Sequence, residues 1–157
     1  MKGAESIQQN EKQTVDISKD TISFLIFSVN NHRLGIEISL VQEIVRDTKV
    51  HFLPFVPSYI EGLINYSGKP YTVVNPVVLE KNPHGPLIEI SSPTFLLFKR
   101  EDDHFCLHIS MVEIFYEVQK EDLEDEDWED EIEYRGEKIP LIKPDEIEEL
   151  LKHDLGA

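Results

Sequence analysis

FLIFSVNNHRLGIEISLVQEI, Phe24 to Ile44, is written twice in this chain: shifted by 71 positions it falls without a gap on FLLFKREDDHFCLHISMVEIF, Phe95 to Phe115. Phe24 and Leu25 meet Phe95 and Leu96, Phe27 meets Phe98, Ile36 meets Leu107, and Ile38-Ser39 meets Ile109-Ser110. A second echo, at a shift of 68, lays Gly68 to Pro76 on Gly136 to Pro144. A self-similarity of this length sets the fold before any shorter motif does.

Each copy opens with an apolar run, crosses a polar tip (Asn30-Asn31-His32; Glu101-Asp102-Asp103) and returns through a run of alternating character. Leu34, Ile36 and Ile38 share parity, as do Phe105, Leu107 and Ile109, and a period of two is that of a strand with one buried face. Each copy therefore starts as a β-hairpin. The return runs lead into Ser39-Leu40-Val41-Gln42 and Ser110-Met111-Val112-Glu113, where serine followed three residues later by Gln or Glu fits a capping box. This pattern predicts short helices at Ser39–Val45 and Ser110–Ile114.

With 157 residues, 40% of them hydrophobic, the chain has enough apolar material for two small subdomains sharing an interface. No apolar run approaches the roughly 20 residues that span a bilayer, and the N-terminus has no signal-peptide core, so the expectation is a soluble, cytoplasmic protein with no membrane insertion. Cys106 is the only cysteine, which rules out an internal disulfide. Thirty-one acidic residues against fifteen basic ones give a net charge of −16, which repels phosphate backbones and argues against a nucleic-acid partner.

Residues 1–19 are polar and aperiodic, and read as a flexible N-terminal tail; one domain of two pseudo-repeats is expected over 20–153. Lys49 to Pro57 reads as a short strand ending at a proline-bounded corner. Ser67-Gly68 is a tight hairpin turn between Leu63–Tyr66 and Lys69–Asn75. Asn82-Pro83-His84-Gly85-Pro86 marks the boundary between copies. The second copy carries an acidic insertion, 121–133, with ten acidic residues and no basic one. Like charges in a block repel, so this stretch reads as a solvated loop, or as a docking loop for a basic partner; it has no glycine for a calcium loop. From Pro144 to His153, Ile147, Leu150 and Leu151 form the stripe of a C-terminal helix that Asp145 can cap.

Signatures of catalysis are missing: the sequence has no phosphate-cradling glycine loop, G-x-S-x-G elbow, H-E-x-x-H or C-x-x-C. No cofactor is expected. His104, Cys106 and His108 alternate on the return strand of the second copy and point to one face, a donor set suited to zinc or copper. Their spacing of about 7 Å strains a shared ion, and Arg33, Gly35 and Glu37 at the same places in the first copy make this face read as solvent-facing.

The hairpin, Val41-Gln42-Glu43-Ile44, then Pro54, Pro57, Ile60-Glu61-Gly62, Asn65 and Gly68, stand in the order found in the CheW-like family of bacterial chemotaxis coupling proteins, which the chain resembles from about Thr21 to Leu151. The resemblance implies a mainly β fold of two intertwined five-stranded SH3-like β-barrels with short helices and a C-terminal helix. It implies a non-catalytic adaptor that bridges the regulatory domain of a CheA-type histidine kinase and the cytoplasmic tip of chemoreceptors. It also puts Val41, Glu43, Gly62, Asn65 and Ser67 on the partner-binding surface. Two departures stand out: Ser67 replaces the arginine of the family's N-L-R-G turn, and Thr72 and Asn75-Pro76 replace the proline and Asp-Leu of the strand that follows. Two other readings remain beside the adaptor: an interaction module of a non-chemotaxis pathway, and a metal-binding sensor using His104, Cys106 and His108.

Overall fold

The computed structural model describes residues 20–123 and 129–156, so the expected tail at 1–19 and the middle of the acidic insertion lie outside the described residues. The first repeat forms β1 (Thr21–Val29), β2 (His32–Glu37), β3 (Val41–Arg46), β4 (Ile60–Tyr66) and β5 (Lys69–Val74). The second forms β6 (Thr94–Phe98), β7 (Phe105–Ile109), β8 (Met111–Gln119), β9 (Glu131–Tyr134) and β10 (Glu137–Pro140), followed by helix α1 (Pro144–Asp154).

The repeats exchange hairpins. The β1–β2 hairpin pairs with β8 in the order β2-β1-β8, while the β6–β7 hairpin enters the first repeat's strands in the order β3-β6-β7-β5-β4. Equivalent residues meet equivalent partners: Phe27 pairs with Val112 as Phe98 does with Val41, and Ile26 with Ile114 as Leu97 does with Glu43. Both ladders skip one residue at the same place, Glu113 and Gln42, the mark of a β-bulge kept in both copies. A lone hairpin is marginal in water, and the exchange gives each one a third strand.

The mainly β architecture is the expected one, but the ladders do not trace two closed five-stranded barrels. The five-stranded sheet is matched by a three-stranded one plus a separate β9–β10 pair, linked by a single parallel bridge from Gly35 to Leu141. At the equivalent place in the other half, β5 and β7 form a three-pair parallel ladder. One residue accounts for much of the difference: Thr72 N–H donates to the His104 carbonyl at 3.0 Å, and its counterpart Pro140 has no N–H to give.

The expected helices at Ser39–Val45 and Ser110–Ile114 are strands. A three-residue 3-10 turn, Ile38–Leu40, precedes β3, its N-cap is Glu37 without a side-chain bond, and β8 starts at Met111. A five- to seven-residue helix is too short to hold itself, whereas Val41 to Arg46 and Met111 to Gln119 each complete the other repeat's hairpin. At α1 the N-cap is Lys143, with Pro144 in the first turn, so Asp145 does not cap but pairs with Arg100 at 2.7 Å. Ile147 and Leu151 are buried in the main core together with Phe27 and Phe105, and Leu150 lies at its edge.

The ends of the acidic stretch are built into the fold. Leu123 closes a 3-10 turn, and Ile132 and Tyr134 alternate inward from β9, all three buried with Phe24, Ile26 and Ile139. The solvated-loop reading therefore does not extend to residues 131–133.

Candidate partner-binding surface

The five residues singled out by resemblance sit on β3, β4 and the β4–β5 turn. Glu43 is exposed and its Oε2 accepts the Tyr66 hydroxyl at 3.2 Å, which joins the two outer strands of the five-stranded sheet. Asn65, across from Pro70, and Ser67 are exposed on the same hairpin. Ser67 and Gly68 have φ of 51° and 77°, the left-handed pair of a two-residue hairpin turn, repeated by Arg135 and Gly136 at 50° and 80°.

Gly62 contributes backbone, not surface. It is buried at a bulge of β4 with φ of 149°, and a Cβ there would stand 2.2 Å from the His51 carbonyl oxygen. That close approach lets His51 and Leu63 exchange backbone hydrogen bonds of 2.7 and 2.8 Å, which anchors the 50–57 loop beside the patch. Val41 is half-buried, paired with Phe98 and packed against the main core, so it supports the patch from behind.

His104, Cys106 and His108 do not share a solvent-facing face. β7 lies in the middle of its sheet and is buried on both sides. Cys106 is sealed among Ile64, Val73 and Leu97, where burial raises its thiol pKa and keeps it protonated. Nδ1 of His104 is buried without a hydrogen-bond partner, its ring 5.0 Å from that of Tyr71. Among the described residues no cluster of His, Cys, Asp or Glu is placed to hold a metal ion, and the metal-sensor reading loses its geometry.

His108 belongs instead to a polar node that sequence reading missed. Its Nε2 lies 2.6 Å from the Ser92 carbonyl, and its Nδ1 lies 2.9 and 3.0 Å from the two Glu61 carboxylate oxygens. Burial works against a charged imidazole here, but the bonds to Glu61 and Ser92 outweigh it and raise the pKa above the ordinary value. Asn75 completes the node: its amide donates to Glu61 and to the Ile88 carbonyl, and its oxygen accepts from Val77 and Ile88 N–H. An amide can both give and accept at this place, where a second carboxylate beside Glu61 would repel it. The only signal in the sequence was a histidine inside an otherwise apolar strand.

The fold is shared with a solved structure, the scaffolding protein TtCheW from Thermoanaerobacter tengcongensis: TM-score 0.62, 17% identity, covering 78% of this chain and 88% of that one. The class is therefore a β protein with the CheW fold. Residues 23–77, from β1 to the turn after β5, match the family model of the CheW-like domain. No curated protein matches its sequence.

Proposed function

We propose that this chain is a non-catalytic adaptor of chemotaxis-type signalling that couples chemoreceptors to a CheA-type histidine kinase from the cytoplasm. The observation that carries the reading is the open patch of Glu43, Asn65 and Ser67, held by Tyr66 and backed by the Gly62–His51 contact, within the matched residues 23–77. The side chains a catalytic reading would draw on are engaged elsewhere: Cys106 is sealed in apolar surroundings, and both His108 nitrogens are bonded. No helix among the described residues is long and apolar enough to cross a membrane.

Ser67 favours a second reading, a module of a different signalling pathway, because a serine cannot replace the five-donor guanidinium of the family's turn. The test is a three-component mixture of this chain, a histidine-kinase regulatory domain and a chemoreceptor cytoplasmic fragment, followed by size-exclusion chromatography. Co-elution of all three supports coupling. Binding to the kinase domain without the receptor fragment favours the second reading, and binding to neither contradicts the adaptor.

A further inference from the structure

Residues 86–93, which lead from the first repeat into β6, lie on the five-stranded sheet without belonging to it. They alternate as a strand does: Leu87, Glu89 and Ser91 are exposed, while Ile88 and Ile90 pack against the main core. Yet among the described residues their one backbone-to-backbone hydrogen bond is at the far end, from Asp47 N–H to the Pro93 carbonyl at 2.9 Å. Side chains hold the rest. Asn75 clamps Ile88 at both its N–H and its carbonyl, the Asn30 amide donates to the Glu89 carbonyl at 3.2 Å, and His108 Nε2 meets the Ser92 carbonyl at 2.6 Å.

The clasp at Ser92 needs a proton. His108 stands between two acceptors, the Ser92 carbonyl at Nε2 and the Glu61 carboxylate at Nδ1, and neither has a hydrogen to give. Only an imidazolium, with an N–H on each nitrogen, satisfies both. A neutral ring keeps a single N–H, and the bond to the carboxylate is the stronger one, so the proton stays on Nδ1 and the bare Nε2 faces the Ser92 oxygen, lone pair against lone pair. The Asn75 clamp has no such dependence, because an amide does not titrate in this range. Of the groups facing His108, Glu61 alone is charged. β6 presents the Phe95 ring, 4.9 Å away, β1 and the 3-10 turn Pro76–Leu79 carry no charged residue, and β5 has only Lys69, at its far end beside the hairpin turn. Glu89, on the segment itself, is turned to solvent, and Cys106, two residues away, is protonated.

We propose that residues 89–92 form a proton-gated strap, closed on the sheet while His108 is charged and lifted between fixed ends at Ile88 and Pro93 once the ring is neutral. The pKa of His108 lies above the ordinary 6.5, so the strap is closed below that value and opens as pH rises through the folded pKa. It does not rest on the kinase and receptor reading.

The test follows ring and strap in one pH titration of the full chain, from about pH 5 to about pH 10, which spans the ordinary histidine range and well above it. Nitrogen-15 NMR reads both ring nitrogens of His108, and a nitroxide on Ser91→Cys, an exposed position, reads the strap; the sealed Cys106 is not labelled. The expected result is an immobile label and two protonated nitrogens at low pH, with both lost at one shared midpoint while far-UV circular dichroism stays constant. Glu61→Gln supplies an amide that can donate to Nδ1 of the neutral ring, whose Nε2–H then keeps the Ser92 carbonyl, so its label should stay immobile throughout. A label that ignores the titration of the ring, a midpoint that differs from that of the ring, a ring still charged at the top of the range, or a Glu61→Gln label released as in wild type overturns the proposal. Should Glu61→Gln lose its fold by circular dichroism, the agreement or disagreement of the two wild-type midpoints decides.

Discussion

In the half that holds β3 to β7, Glu43 lies across from Leu97 and its carboxylate takes the Tyr66 hydroxyl; in the other half the equivalent residues are Ile114, across from Ile26, and Tyr134, packed among buried apolar side chains. One architecture thus carries a polar, open outer strand in its first copy and an apolar, filled one in its second. The duplication preserved the pairing of each hairpin with its third strand, down to the shared bulge, and left side chains free to diverge. The first copy leaves Glu43, Asn65 and Ser67 exposed, while the second is tied to α1 through Arg100, which bonds Glu148 and Asp145.

The largest expected effect separates two glycines. Gly62→Ala brings a Cβ against the backbone oxygen of His51 and should cost about 3 kcal/mol or more. Gly35→Ala meets the end of the Leu141 side chain at 2.9 Å, which can move, and should cost about 1–2 kcal/mol. Urea unfolding of both variants checks this, and equal costs would break the contrast between a rigid half around β4 and a yielding one around β2.

The polar node comes next. His108 has a folded-state pKa above its unfolded value of 6.5, so its contribution is fully present below that value and is lost as pH rises through the folded pKa. Glu61→Gln removes the carboxylate that holds the charge, and should cost about 1–3 kcal/mol at about pH 6 and less at about pH 9. A cost that grows with pH would contradict a charged His108.

Much of this plan is legible in the sequence, for physical reasons that differ by element. The hairpins announce themselves through period-two burial, and the Ser67-Gly68 turn and the α1 stripe are local patterns that local structure obeys. β3 and β8 are not legible in this way. A serine three residues before Gln or Glu is a local signal for helix, whereas the partner that makes each of them a strand lies in the other repeat. The node at Glu61, Asn75 and His108 is hidden for the same reason: its three members are brought together only by β4, β5 and β7 meeting in one sheet.

Smaller effects sharpen the comparison. Thr72→Pro gives the first copy the residue of the second and removes the bond to the His104 carbonyl, at a cost of about 1 kcal/mol in urea unfolding. An unchanged midpoint would mean that Pro140 does not explain the broken ladder. Ser67→Arg should change stability by no more than about 0.5 kcal/mol, since Arg135 already occupies the equivalent turn position at φ of 50°. If the missing guanidinium is what sets this chain apart, the same variant should bind a receptor fragment more tightly.

The central claim, that the first copy presents the docking patch, is tested most directly by Glu43→Lys in a binding titration against the regulatory domain of a histidine kinase, with thermal melting measured alongside. The patch predicts loss of binding with a stability change of about 0.5 kcal/mol or less, as for an exposed residue. Full binding by the charge-reversed chain would contradict it.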